Sequence, residues 1–499
     1  MHARSSRTGK VHTMSQVQHR VTTAVGGAPA PASGTALVAL LTRLHFYVGL
    51  FVGPFILVAA ITGTLFVLTP QIEDHLYAAQ LYSDASGPTR TLAEQIDAAR
   101  SAIGDGPTLA AVRPALVPGR TTRVMFSEPG LDPSKNRAIF VDPVTLDIKG
   151  DLLVYGTSGT LPFRTTLDYL HRNLMLGDAG RNYSELAASW LWLAALGGII
   201  LWACGRRRDA QPASASSSAR RRLRRLHSVI GLWIAIGLFF LSATGLTWSR
   251  WAGGRIDVLR QELGWVTPSV STKLTGGPAS PSGAEHAEHT HGMAGITGMA
   301  TGASAASRGL AEAPSPAQFD RVLLAAQAGG IDAGDIEIRP PRKADQAWTV
   351  REVDRAWPTQ VDTVAIDGRD MSIVSRADFA SFPLVAKLIR WGIDAHMGIL
   401  FGWLNQLLMA AFGIALSAMI VLGYAMWWRR RPAPGSPALT VTQAWRRLPA
   451  AQRWAAVLLA LALGWTLPLM GLSLLAFMLV DMTRWQVYGR ARQHSHSRA

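Results

Sequence analysis

The 499-residue chain predicts a membrane α-helical bundle of four core crossings plus a C-terminal transmembrane segment, carrying two external α+β domains and built by internal duplication. Three observations predict it. Apolar blocks are long enough to cross a bilayer, which takes about 20 residues. Basic residues gather in the short connections. Two stretches 182 residues apart also read almost alike: Arg43-Leu44-His45 with Gly49 and Thr62-Gly63, and Arg225-Leu226-His227 with Gly231 and Thr244-Gly245. A second matching pair, Leu170-His171 and Ala395-His396, leads in each copy into an apolar helix that ends in three arginines.

The elements follow in order. Residues 1–40 are rich in Ala, Ser, Gly and Pro and read as a disordered N-terminal segment with no cleavable signal; Met14 is a second possible start. The first crossing occupies 41–69. Its uncharged run is too long for a signal peptide and lacks a small-residue cleavage site, so it reads as retained. The first external domain, 70–165, has helical spacing at Leu92, Ile96, Ala99 and Ile103, then strand-like runs at 109–112, 122–126 and 137–141. A turn at Asp142-Pro143 leads to a further strand at 147–153. Residues 166–205 combine an interfacial helix with the second crossing, 206–225 form a basic loop, and 226–249 the third crossing.

The second external domain, 250–385, repeats that order. A helix at 318–328 precedes strands at 334–339 and 348–352, and a hairpin of 361–366 and 371–375 turns at Asp367-Gly368. A small sheet beside a helix is expected in each domain. The offset between copies grows from 182 to 225 residues, which places an insertion in the second. The Gly-, Ala-, Ser- and Pro-rich stretch 268–316 accounts for it. An interfacial helix and the fourth crossing fill 386–429, and a basic loop fills 430–453. The C-terminal segment 454–481, interrupted by Pro468, is expected as one kinked crossing, because each half of a re-entrant hairpin would be short of a span. Residues 482–499 form a tail.

The net charge of +16 suggests a nucleic-acid binder, but its distribution argues otherwise. Residues 1–45, 205–226 and 429–453 carry 5, 8 and 6 Lys/Arg with a single acid among them. The long segments 70–185 and 249–395 carry slightly more acids than bases: 14 against 11, and 17 against 15. That is the positive-inside pattern, with a cytoplasmic N-terminus and both long segments outside. Membrane lipid is the expected partner, not nucleic acid. One cysteine, Cys204, excludes an intramolecular disulfide and reads as a packing residue.

Topology sorts the histidines. His45 and His227 sit at the cytoplasmic starts of the first and third crossings. His171 and His396 precede the second and fourth on the outer side. Two imidazoles from two helices at one depth are what axial ligation of a haem iron requires, so two pairs make two haems, one above the other. Gly49, Gly53 and Gly231 lie within two turns of His45 and His227 and would let a flat macrocycle approach, though small residues also let membrane helices pack closely. A lone interfacial histidine is ordinarily a headgroup contact; four in symmetric places weigh towards ligation. Zinc would want carboxylates or thiolates, which the helices do not offer. His75 has no counterpart and is set aside. A separate cluster, His286, His289 and His291 with Met293 and Met299, suits copper or a divalent ion, or is low-complexity drift.

These motifs resemble the PepSY-associated transmembrane family of bacterial inner-membrane proteins, several of them iron-regulated and acting as siderophore-iron reductases. Arg43-Leu44-His45 with Thr62-Gly63, Leu170-His171, Leu226-His227 with Thr244-Gly245, and His396-Met397-Gly398 with Phe401-Gly402 carry the resemblance across about 40–430. The external domains resemble PepSY modules. Asp142-Pro143-Val144-Thr145 stands at an Asp-Pro-x-Thr-Gly turn, with Leu146 where the glycine is usual. The resemblance implies two b-type haems on His45, His227, His171 and His396, and electron delivery to a ferric siderophore or another periplasmic metal complex. The electron donor, a quinol or a cytoplasmic reductase, is left open, since no flavin or nicotinamide fingerprint occurs. A non-catalytic PepSY sensor or inhibitor on a membrane anchor, and a metal-handling protein using the His/Met cluster, are the rival readings.

Overall fold

A computed structural model of the chain describes residues 33–156, 159–205, 218–274, 314–429 and 440–496. Most of the segments read as disordered tail, basic loops and insertion lie outside these residues, and so do His286, His289 and His291.

Among the described residues, four helices are long and apolar enough to cross a membrane: Ala36–Val67, Gly177–Gly205, Arg221–Thr247 and Gly402–Trp428. The first and third spans each pack on both the second and the fourth, closing a four-helix ring. The first span is compound. Helix α1 (Ser33–Tyr47) passes through one π-turn, Val48–Val52, into α2 (Gly53–Val67). Pro54 in the first turn of α2 has no N–H to give the carbonyl four residues back, that of Leu50. The Tyr424 hydroxyl of the fourth span donates to that carbonyl instead, at 2.7 Å.

Beyond α2, the short helices α3 (Thr69–Leu76) and α4 (Ala78–Leu81) lead into the external region. There α5 (Leu92–Ile103) precedes β1 (Thr108–Arg113), β2 (Thr122–Ser127), β3 (Lys135–Val141) and β4 (Ile148–Tyr155). Helix α6 (Pro162–Asn173) then meets the second span, α7 (Gly177–Gly205). The third span lies in α8 (Ser218–Thr247), followed by α9 (Trp251–Glu262), α10 (Pro316–Ala328), and strands β5 (Ile336–Arg339), β6 (Trp348–Glu352), β7 (Thr363–Ile366) and β8 (Ile373–Ala377). Helix α11 (Leu384–His396) meets the fourth span, α12 (Gly402–Trp428). The order of elements in the second half thus matches that in the first.

The two expected small sheets are instead one. The eight strands among the described residues join in the antiparallel order β4-β3-β2-β1-β5-β6-β7-β8. The junction is a short pairing of β1 with β5 at Val112 and Ile338, clamped by Arg113 of β1 on Glu337 of β5 at 2.6 Å. Separate sheets would have left β1 and β5 as edges with unpaired backbone groups, and joining removes both edges. Helices α5 and α10 cover one face. Ile96, Phe126 and Ile139 from the first half share a core with Phe319, Ile338 and Trp348 from the second. Asp320 of α10 also accepts from the Leu92 and Ala93 amides at 2.7 and 3.0 Å, satisfying free donors at the start of α5.

The β3–β4 and β7–β8 turns share one shape. Leu146 and Met371, each four residues after the aspartate that opens its turn, hold φ of 66° and 61°. The left-handed backbone of the turn is kept without glycine, at a cost of about 1–2 kcal/mol per residue, and both side chains pack against the sheet core.

The C-terminal segment departs from the expected single kinked crossing over 454–481. Helix α14 (Ala450–Thr466) turns back at Leu467-Pro468 into α15 (Pro468–His496), with Gly464 and Gly471 in backbone contact across the turn. Pro468 breaks the helix because it can neither donate to nor fit against the preceding turn. Both ends of this hairpin lie on the side opposite the sheet. Asp481 of α15 accepts from Tyr47 Oη and from the Val441 and Thr442 amides that open α13 (Val441–Arg446). Neither arm is among the four helices suited by length and composition to cross.

Candidate functional site

The sequence-predicted histidines meet in two pairs, at two levels of the bundle. His45, in the last turn of α1, and His227, in α8, have ring centroids 6.4 Å apart with planes at 87°. His171 and His396 close α6 and α11 at the sheet side and line one cavity of about 1210 Å3. Burial, and then the neighbouring His171, push the His396 imidazole down to about 3, so it stays neutral. Along the first span, His45 and Thr62, the latter beside His171, are separated by roughly 25 Å of helical rise.

The Thr-Gly motifs, repeated in the sequence but given no role there, hold these rings. The Thr62 hydroxyl gives its proton to the Val58 carbonyl at 2.7 Å. Its 3.1 Å bond to His171 Nδ1 must therefore be accepted from the ring. Thr244 repeats this, donating to the Phe240 carbonyl at 2.7 Å and accepting from His396 Nδ1 at 2.6 Å. His227 Nδ1 lies 2.9 Å from the Met419 carbonyl, which can only accept. Three rings are thus protonated at Nδ1, which leaves the Nε2 lone pair for another partner. In the fourth, His45, Nδ1 is buried with no hydrogen-bond partner.

Close backbone approach is provided by glycines other than Gly49, Gly53 and Gly231. A Cβ on Gly63 would come within 3.1 Å of the His171 ring, and one on Gly198 within 3.4 Å of His45. Gly49 faces open space, Gly53 meets Tyr424, and Gly231 meets Met419. Gly63 is marked by the repeated Thr-Gly motif, but Gly198, supplied by a neighbouring helix, carries no sequence signal until the helix pairing is known.

The cavity lies between the bundle and the uncovered face of the sheet. Its lining is rich in arginine, although both long external segments are slightly acidic in sum. On the roof, Arg113, Arg339 and Arg351 all pair with the buried Glu337, at 2.6, 2.6 and 2.9 Å. Burial pushes that carboxyl up, but the three guanidiniums outweigh it and hold it well below the usual range. On the floor, Arg355 and Arg390 pair with the fully buried Asp394 on α11, two residues before His396. Arg164 lies two turns before His171 on α6 and stacks over Phe66. The strand arginines escape a sequence reading because the sheet's second buried face is unknown before the sheet order is, and Arg164, Arg355 and Arg390 because helix and loop arginines read as solvated charges.

No curated protein matches the chain. The model of the PepSY-associated TM region does match it, over residues 42–430, a stretch that takes in the sheet, the cavity and all four histidines; the chain is a multi-pass membrane protein that belongs to that family.

Proposed function

We propose that the protein is a one-electron reductase of the bacterial inner membrane, with a cytoplasmic N-terminus and a periplasmic sheet. It reduces a ferric siderophore, or another periplasmic metal complex, and so releases Fe(II). The observation that carries this reading is the pairing of histidines at two levels, three of them with Nδ1 engaged and Nε2 available.

That arrangement supports two b-type haems, one held by His45 and His227 and one by His171 and His396. Haem would supply reversible one-electron chemistry at iron. The 6.4 Å between the His45 and His227 rings leaves room for one metal ion at about 2 Å from a nitrogen of each. A bare ion would want more donors than two. Among the described residues no group of three or more His, Cys, Asp or Glu could supply them.

The chain's own residues do the rest. Thr62, Thr244 and the Met419 carbonyl orient the rings and fix their protons. The cavity at the sheet side admits a small-molecule complex beside His171 and His396. The reaction there is the gain of one electron by Fe(III). Hard oxygen donors hold the resulting Fe(II) less tightly, so no bond of the chelator has to break. The electron enters at the level of His45 and His227 from a quinol or a cytoplasmic reductase. The matched order of elements in the two halves supports a duplicated unit that contributes one ligand to each pair. A sensor or anchor would have no use for paired histidines at two depths.

Purified full-length protein should show a Soret band, and sharp α and β bands on reduction, with two haems per chain. Ferric chelate should reoxidise the reduced protein while Fe(II) appears at a matching rate. Absence of haem after expression with ample haem supply would overturn the reading. Reoxidation by quinone but by no ferric or cupric complex would replace it with a quinone-linked role.

A further inference from the structure

The cationic face of the cavity exceeds what its own acids neutralise. Arg113 and Arg123 stand directly opposite one another on β1 and β2. Like charges in that position repel unless something compensates them. Glu337 serves Arg113, Arg339 and Arg351 together. Arg123 donates to the Gly159 carbonyl at 2.7 Å and lies over the Phe140 ring. Burial, and then Arg113, push its guanidinium down to about 9, despite the opposing pull of Asp335, Glu337 and Glu73.

Across the cavity, Arg164 is likewise enclosed. Its Nη2 is buried without a hydrogen-bond partner, and Arg355 adds a second positive charge beside it. Glu73, more strongly than Arg355, and Asp168 act in the opposite sense on Arg164, and Asp394 pairs with Arg355, but none of them partners that Nη2. An unpartnered buried guanidinium N–H costs stability that a carboxylate would recover, since Arg binds carboxylate in a planar, bidentate fork.

Building on the reductase reading, we propose that the cavity takes a polycarboxylate iron chelate, a small polyanion of the citrate type, held between Arg123 in the roof and Arg164 in the floor. A cationic or neutral chelate would leave the roof charges unmatched. The same carboxylate chemistry has a second source, a haem propionate. Arg164, on the helix that carries His171, is within that possibility. Arg123, on the sheet, answers to a soluble ligand.

Gallium(III) citrate, which is redox-inert, separates binding from reduction. Calorimetry on the full-length protein in detergent should give saturable binding that weakens with added salt. Arg123→Gln should weaken it by about tenfold or more, and Arg123→Lys should restore part of the loss. Haem content and spectrum should stay unchanged in both variants. Arg164→Gln should weaken citrate with an unshifted spectrum. A shifted spectrum with intact citrate binding would give Arg164 to a propionate and overturn its place in the site. No binding of gallium citrate by the wild type, or equal binding by Arg123→Gln, would overturn the proposal. Ferric citrate that binds but is never reduced would overturn the reductase reading and leave this one standing.

Discussion

At the residue scale, the threonines set which nitrogen of each outer histidine faces a ligand. Thr244→Val keeps the shape and removes the acceptor for His396 Nδ1. Loss of such an outer partner lowers metal affinity by about 10- to 100-fold. Haem titration should show that loss at the outer site, with the inner site unchanged. Pairing gives a second expectation. His45→Ala and His227→Ala should remove the same haem, and His171→Ala and His396→Ala the other. Spectra in which His45→Ala and His171→Ala abolish the same component would refute the two-level arrangement. The four histidines were legible because they recur at matching places in a repeated pattern. Arg123 and Arg164 were not, since an arginine on a strand or amphipathic helix reads as a solvated charge until the fold closes a cavity over it.

At the element scale, the junction of β1 and β5 depends on Glu337 and its three arginines. Its carboxyl is depressed in the folded protein, so its contribution is fully present above the unfolded carboxylate pKa of about 4.3 and is lost as pH falls below that value. Glu337→Gln leaves three part-exposed guanidiniums without their shared acid and should cost about 1.5–3 kcal/mol near neutral pH. Thermal unfolding followed from pH 6 to pH 2 should show the wild type losing more stability than the variant. Equal acid sensitivity would remove Glu337 from that role. The individual strands were legible from their alternation and turn residues. Their union was not, because one short pairing between distant segments leaves no periodic mark.

At the scale of the whole molecule, the hairpin of α14 and α15 changes where the chain ends. The single crossing expected from its apolar length would have put Arg484, Arg490 and Arg492 on the sheet side. The hairpin keeps them opposite, in line with the positive-inside rule. A reporter fused at the C-terminus should therefore read the same side as one inserted after Gly205; activity on the other side would restore the kinked crossing. What decided the fold was not apolar content but a proline at a turn and Asp481 with its bonds to Tyr47, Val441 and Thr442. The four spans, by contrast, were plain in the sequence, because bilayer length is a composition signal.

The single sheet also constrains shape. Adjacent strands rotate by roughly 20–25° relative to one another. Across the run from β4 to β8 that rotation accumulates to roughly 150°. The sheet is therefore strongly twisted, and its surface is a saddle, not a plane. A saddle stiffens against bending along either axis. The two halves are one hydrogen-bonded surface, so the lobes cannot part over the cavity without breaking the β1–β5 junction.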